Sequence, residues 1–310
     1  MKKASKWQAF LLFSQSIPSH ALGFIDPKST TLELTINGQD LTITQSPGVL
    51  SSNRAGGTTG AVVWKVTPPF AAWLASPATN LFFRTGALSP ASAVLELGCG
   101  VSALVGLAVG PLVSRYVLSD QPYVARFVEE NLRQNLPRHR PRPSGAPAGN
   151  RRKGRGHHGN TASGGPAATA PGTGNVYFRP LDWELDTPDS SLAAGGDAAG
   201  SSFDLVIACD CIYNEALVPS FAQTCADVCR LRSTQPSGGG AAAAAGEQQQ
   251  QQRPCVCVVA QQLRDPDVFG AWLREFCARG FRVWRVPDGE LPEALRSSSG
   301  FVVHVGILRG

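Results

Sequence analysis

One stretch constrains the fold of this chain more than any other: a strand-like apolar run that ends in two glycines, VLELGCG at 94–100. Glycine lets the backbone turn tightly and lets a ligand approach the main chain. A strand, a glycine turn and a following helix are typical of α/β sheets that bind adenosine-containing cofactors. Alternatives stay open at this point, because Gly98, Gly100 and Ala103 also fit a nicotinamide or flavin site, and such turns occur without any ligand.

Apolar runs with strand and helix spacing alternate along most of the chain. The strand-like runs lie at 93–97, 116–119, 176–181, 203–208, 256–260, 281–286 and 301–308. This alternation predicts a Rossmann-like α/β sheet that is mostly parallel and covered by helices on both faces. Only a short connection with Pro and Gly joins the last two strands, so we expect an antiparallel final strand.

The N-terminal part precedes this alternating pattern. Two short β runs flank Asn37-Gly38, a dipeptide that predicts a β-hairpin. We therefore expect one domain over 1–310, made of an N-terminal extension at 1–75 and a core at 76–310. Low-complexity insertions are expected to be disordered, because they have too little apolar surface to bury; they lie at about 138–174, 190–202 and 233–252.

Charge and cysteine usage exclude several classes of function. Seven Lys or Arg and no acid lie between Arg138 and Arg155, so the rest of the chain is near neutral despite a net charge of +5. This basic insertion predicts at most a weak contact with RNA. The eight cysteines lack paired Cys-x-x-Cys knuckles, which predicts structural thiols of a reduced protein and no metal site. No apolar run could span a bilayer, and we expect a cytoplasmic, also nuclear, monomer without a membrane partner.

Two acids distinguish between possible cofactors. Asp120 ends the second strand, where a carboxylate accepts the hydroxyls of a ribose, although the same residue also fits a helix cap. Glu96 lies two residues before the first glycine, and it suits a cationic ligand better than a pyrophosphate, which it would repel. S-adenosylmethionine carries an ammonium and a sulfonium and no phosphate, so Glu96 favours methyl transfer.

The end of the fourth strand carries a second pair of polar residues. Asp210 and Tyr213 are expected at the carboxyl edge of the sheet, where ligands bind. There Asp210 can orient an acceptor amine, and Tyr213 can hydrogen-bond that amine or pack its aromatic ring beside it. The alternative is a capping Asp and a packed Tyr. Trp64 and Trp183 are candidates for cofactor contacts, although each Trp taken alone is more often a core residue.

Together, VLELGCG, the LDW at 181–183 and the DCIY at 210–213 resemble the seven-β-strand protein-lysine methyltransferases, methyltransferase family 16. The sequence is most similar to the fungal ribosomal lysine N-methyltransferase 5 type, also at AQQLR, 260–264. The resemblance implies a class I methyltransferase sheet, S-adenosyl-L-methionine as cofactor, and a lysine of a ribosomal or translation-associated protein as acceptor. One departure is that Ser102 and Ala103 stand where many relatives have a further glycine.

Carried over onto this sequence, the family pattern makes Asp210 and Tyr213 the catalytic residues. The implied cofactor-binding residues are Trp64, Glu96, Gly98, Cys99, Gly100, Asp120, Asp182, Trp183 and Cys209. Three other functions remain as alternatives. A nicotinamide-dependent oxidoreductase is disfavoured by Glu96 and by the antiparallel end of the sheet. A non-catalytic protein that keeps the cofactor fold is only mildly disfavoured, by the presence of Asp210 and Tyr213. Enzymes that methylate amides or nucleobases commonly have an Asp/Asn-Pro-Pro-aromatic motif at this strand end, whereas Cys211 and Ile212 stand in its middle here.

Overall fold

A computed structural model of the chain describes residues 10–18, 22–54, 57–136, 174–193, 202–233 and 253–309. Most of the three predicted insertions, including the basic run, lies outside the described residues. None of the described helices is both long and apolar enough to cross a membrane.

Within these described residues, nine strands form two sheets. In chain order the strands are β1 Thr31–Ile36, β2 Gln39–Thr44, β3 Ala93–Leu97, β4 Arg115–Asp120, β5 Val176–Pro180, β6 Leu205–Cys209, β7 Val256–Gln262, β8 Phe281–Arg285 and β9 Phe301–Leu308. β1 and β2 pair with each other, and the rest form one sheet in the order β5-β4-β3-β6-β7-β9-β8. In this large sheet β9 runs antiparallel to both β7 and β8, whereas the other pairs are parallel; β1 and β2 are antiparallel. The predicted mostly parallel sheet, antiparallel final strand and N-terminal hairpin are thereby confirmed.

Helices cover both faces of the large sheet. They are α1 Pro47–Leu50, α2 Thr67–Leu74, α3 Leu81–Arg84, α4 Leu104–Val109, α5 Ala125–Asn135, α6 Val218–Ser233 and α7 Pro266–Ala278. The hairpin, α2, α4 and α5 pack on one face, while α6 and α7 pack on the other. Every residue of β3 is buried, as a continuous apolar strand at the centre of such a sheet requires. Six of the eight cysteines are buried, and all eight are free thiols.

The N-terminal hairpin is fastened to the core next to the glycine turn. Asn37 and Gly38 both have positive φ, as the tight two-residue turn of a hairpin demands. On α5, the buried Asn131 side chain accepts a hydrogen bond from the Thr44 N–H (2.7 Å) and donates to the carbonyls of Thr44 and Val101. One amide therefore joins the hairpin, α5 and the segment that follows the two glycines.

Two local predictions differ from the structure. Asp120 does not cap the helix after β4, because a 3₁₀ turn at Pro122–Val124 comes first and the Asp120 carboxylate accepts from the Gly100 N–H. The second predicted insertion begins in ordered structure: Ser190–Ala193 forms a 3₁₀ turn whose last two residues are buried.

Candidate functional site

A cleft opens at the carboxyl ends of β3, β4 and β6, where the strand order reverses and ligands of α/β sheets bind. It holds about 900 Å³ of space between atoms, part of which is open solvent. The structure brings all the predicted site residues to its walls: Trp64, Glu96, Gly98, Cys99, Gly100, Asp120, Asp182, Trp183, Cys209, Asp210 and Tyr213.

The floor of the cleft is the glycine turn after β3. Gly98 and Gly100 have φ of +68° and +60°, a region that L side chains rarely adopt. A Cβ on Gly98 would lie 2.6 Å from Cys211 Sγ, and one on Gly100 would lie 2.9 Å from the Gly60 carbonyl oxygen. Ala103, three residues on, also has a positive φ of +51°, at a cost of about 1–2 kcal/mol for alanine. Neither Gly98 nor Gly100 therefore has room for a side chain.

A loop of the N-terminal extension forms one wall of the cleft. Of the residues in this wall, only Trp64 was predicted from the sequence. The Val101 N–H donates to the Gly60 carbonyl (2.8 Å), which fixes the loop on the glycine turn. The Trp64 indole N–H donates to the Thr59 carbonyl (3.1 Å), and the Thr59 side chain hydrogen-bonds Tyr213. Gly60, close to Trp64 in the chain, is the sequence signal that could have identified this loop.

Asp120 is held by two backbone amides at the end of β4. Its Oδ2 accepts from the Gly100 N–H (2.8 Å) and its Oδ1 from the Gln121 N–H (2.7 Å). Burial raises the pKa of Asp120 to about 6, against the lowering effect of these two hydrogen bonds. Each carboxylate oxygen has roughly two lone pairs, so each keeps one for a ligand hydroxyl.

The charged residues that line the cleft are all acidic. They are Glu96, Asp120, Asp182, Glu184 and Asp210; no Lys, Arg or His lines the cleft within the described part of the chain, although Arg264 pairs with Asp210 from outside the lining. A pyrophosphate would meet repulsion here and no cationic partner, whereas a cationic ligand would be attracted. The lining is therefore better suited to a cationic cofactor than to a dinucleotide.

Glu96 is almost completely buried, with 2% of its surface exposed. Its Oε2 accepts a hydrogen bond from the Tyr116 hydroxyl (2.7 Å). Burial raises the pKa of Glu96 from 4.5 to about 7, with a smaller contribution from the charge of Asp120 and against the hydrogen bond of Tyr116. The carboxyl thus changes its protonation near neutral pH, and its contact with a cationic ligand remains a prediction.

We expect Glu96→Gln to flatten the pH dependence of stability. The pKa of Glu96 is about 7 in the native protein and about 4.5 in the unfolded chain, so the native state binds the proton more tightly. The protonated carboxyl therefore stabilises the fold fully below about pH 4.5, and this stabilisation is lost as the pH rises through about 7. Relative to the variant, the wild-type protein should lose about 1–3 kcal/mol of unfolding free energy between pH 4.5 and pH 8. Urea unfolding at several pH values measures this difference, and parallel curves for the two proteins would contradict it.

Asp210 lies directly after β6 in a strained conformation, with φ of +58° in a residue other than glycine. Its side chain is fully buried and accepts hydrogen bonds from the Gln262 N–H (3.2 Å), the Gln262 side chain (2.8 Å) and Arg264 (2.7 Å). Burial raises the pKa of Asp210 to about 6, while Arg264 and Gln262 lower it. Gln262 and Arg264 were seen in the sequence only as part of a family likeness, without a role.

Trp183 lines the cleft beside the glycine turn. Its ring packs edge-on against Phe221 at 5.1 Å between centroids, and a Cβ on Gly98 would lie 3.1 Å from its Cζ2 atom. The indole N–H is buried and has no hydrogen-bond partner among the described residues. The glycine turn and the acidic lining together fit a cationic adenosine derivative.

Parts of the chain are similar to known proteins. The model of the lysine methyltransferase family matches residues 167–236. Ribosomal lysine N-methyltransferase 5 of Zygosaccharomyces rouxii is 37% identical over 108 residues, 31% of this chain and 34% of that protein. The protein of the same name from Saccharomyces cerevisiae (strain YJM789) is 26% identical over 240 residues, 62% of each chain. A Schizosaccharomyces pombe protein named diaminohydroxyphosphoribosylamino-pyrimidine deaminase is 35% identical over 126 residues, 40% of this chain and 30% of that protein.

The chain thus spans about a third of the length of two of these relatives and 62% of the third. A solved structure of the Pyrococcus abyssi tRNA (uracil-54, C5)-methyltransferase aligns with a TM-score of 0.39 and 12% identity, over 91% of this chain and 44% of that one. A similarity this low carries no argument about function. The family model and the two ribosomal lysine methyltransferases support the assignment to the lysine methyltransferase family that the sequence motifs predicted.

Proposed function

We propose that this chain is a lysine methyltransferase that binds S-adenosyl-L-methionine in the cleft and transfers its methyl group to a protein lysine. The observation that carries the proposal is the acidic lining around a bare glycine turn, with no basic side chain among the described lining residues. The same observation disfavours a nicotinamide cofactor, whose pyrophosphate such a lining would repel.

Different residues of the cleft would contact different parts of the cofactor. The backbone of the glycine turn and of Cys209 would approach it closely, Asp120 would accept ribose hydroxyls, and Glu96 would face its ammonium. Asp182 and Trp183 would contact the adenine, and Trp64 would cover the site. When bound, S-adenosylmethionine supplies an electrophilic methyl group on a sulfonium.

Asp210 and Tyr213 would receive the acceptor amine. Of the roughly four lone pairs of the Asp210 carboxylate, described partners use three, which leaves one on Oδ2 for the amine. With a pKa of about 6, Asp210 is mostly ionised at neutral pH and can attract and orient a lysine. Tyr213 is partly buried beside it in the lining and bounds the space for the amine.

The proposed acceptor is a lysine of a ribosomal or translation-associated protein. This part of the proposal rests on the names of two relatives that the chain matches over part of their length. Such a substrate would place the protein in the cytoplasm, and also in the nucleus, acting as a monomer. The basic insertion between Arg138 and Arg155 would add at most a weak RNA contact.

Incubation with tritiated S-adenosylmethionine and a ribosome fraction from cells lacking the protein tests the proposal. We expect one labelled protein band, with the label recovered as methyl-lysine after hydrolysis. Calorimetry with S-adenosylmethionine alone tests the cofactor separately. Absence of both binding and label would overturn the methyltransferase function, while tight binding without label in any fraction would favour a non-catalytic protein. Label in RNA instead of protein would move the acceptor to nucleic acid.

A further inference from the structure

Arg264 contacts two residues of the cleft wall without lining the cleft itself. It lies two residues after the end of β7, and its Nη2 is 2.7 Å from Asp210 Oδ1. Its guanidinium carbon also lies 4.4 Å from the centre of the Trp64 ring, a cation–π distance. One planar cation therefore bridges a carboxylate after β6 and an indole of the N-terminal extension.

A second connection links the same two residues. The Gln262 side chain donates to Asp210 Oδ2 (2.8 Å) and accepts from the Gly23 N–H (2.6 Å). The next residue, Phe24, pairs with Trp64 through a β-bridge, and their rings are 4.1 Å apart. Asp210, Gln262, the Gly23-Phe24 segment, Trp64 and Arg264 thus form a closed ring of contacts, which we call the Asp210 ring.

We propose that Arg264 is a positioning residue: it fixes the Asp210 carboxylate and the Trp64 indole relative to each other and keeps Asp210 ionised for the acceptor amine. The proposal deepens the function proposed above and rests on it. Arg suits this role better than Lys, because a planar guanidinium can pair with a carboxylate and stack on an indole at once.

The charges around Asp210 support this role. Besides Arg264, the groups that face it are the amide of Gln262 and the thiols of Cys209 and Cys211. Burial raises the pKa of both thiols well above their usual value, so they carry no charge at neutral pH. Arg264 is therefore the cation that opposes the effect of burial on Asp210. An opposite charge at this range lowers the pKa of an Asp by about 1–3 pH units.

The decisive measurement follows Asp210 directly by ¹³C-carboxyl NMR, with its signal assigned from Asp210→Asn. In Arg264→Gln we expect the titration midpoint to rise by at least about 1 pH unit, and the indole N–H signal of Trp64, assigned from Trp64→Phe, to shift. Arg264→Lys should restore most of the midpoint but not the indole signal, because it keeps the charge and loses the planar stack. Arg84→Gln is the matched control, since it removes a guanidinium from an exposed ion pair with Glu290.

The rate of methyl transfer tests whether this effect on Asp210 matters for function. We expect kcat/KM of Arg264→Gln to fall about two- to tenfold at pH 7, as a rise of about 1–2 pH units in the Asp210 midpoint implies, and to recover towards wild type at pH 9, where Asp210 is ionised again. An equal loss at all pH values would indicate a structural role only and would overturn the inference. So would an unchanged Asp210 titration and Trp64 signal in Arg264→Gln. If the wild-type protein transfers no methyl group, the proposed function fails, and the NMR titration still decides the role of Arg264 on Asp210.

Discussion

Replacing Gly100 by alanine is expected to abolish measurable binding of S-adenosylmethionine at ordinary concentrations. The new Cβ would lie 2.9 Å from the Gly60 carbonyl oxygen, which is backbone and cannot turn away, and the φ of +60° adds strain. The glycine turn and the loop at Gly60 must then separate, so both walls of the cleft move. We expect an affinity loss of at least about 100-fold, or roughly 2.7 kcal/mol, in calorimetric titrations.

Two other glycines serve as controls for this prediction. Gly38 has a φ of +81° and no atom within 4 Å of the position that a Cβ would take, so Gly38→Ala carries the backbone strain without the clash. Gly289 has neither a positive φ nor an atom near the position of a Cβ, so Gly289→Ala tests the effect of the substitution without strain or clash. Gly38→Ala should lower stability by about 1–2 kcal/mol and leave cofactor affinity unchanged. Wild-type affinity in Gly100→Ala would show that the glycine turn is not the cofactor site.

Asp210→Asn is expected to lower methyl transfer by at least about 100-fold while cofactor affinity changes little. The variant keeps the size of the side chain but loses the charge that would attract and align the acceptor amine, and misalignment alone has effects of this order. It also leaves Arg264 without its partner. Removing one member of a buried ion pair costs about 3–5 kcal/mol, and the partly exposed Arg264 places the expected loss of stability at the lower end.

The double variant Asp210→Asn, Arg264→Gln separates the two effects. With both charges removed, stability should recover in part, because no unpaired charge remains beside the core. Methyl transfer should stay as low as in Asp210→Asn. Urea unfolding and transfer of tritiated methyl groups measure the two quantities on the same preparations. If activity returned together with stability, Asp210 would be a structural residue and the proposed catalytic role would be wrong.

The sheet could be predicted from the sequence because each of its strands contains a run of mostly apolar residues. β3 and β9 have the bounds that their apolar runs indicate, and the glycine turn after β3 follows from two glycines one residue apart. Candidate site residues could be found wherever a polar side chain directly follows a buried strand, as at Asp120 and Asp210. These are local signals, and the carboxyl edge of a parallel sheet gathers them in space.

Other parts of the site depend on contacts between distant segments, and a single sequence carries no signal for them. The pairing of Arg264 with Asp210 joins residues 54 apart, and the contact of Gly60 with the glycine turn depends on how the N-terminal extension folds back. The cap predicted at Asp120 failed for a related reason. Its carboxylate accepts from the N–H groups of Gln121 and of Gly100, which is twenty residues away, and neither group belongs to the helix.

The contact between Gly23 and Gln262 also has a consequence for biogenesis. The two residues are 239 positions apart, so the segment at Gly23 has no Gln262 to pair with until 239 further residues have been synthesised. Contacts of such long range form late, because the loss of loop entropy precedes any gain from them. The Asp210 ring can therefore close only after Arg264 has left the ribosome, and a chain that stops before this residue would have the glycine turn without an assembled acceptor site.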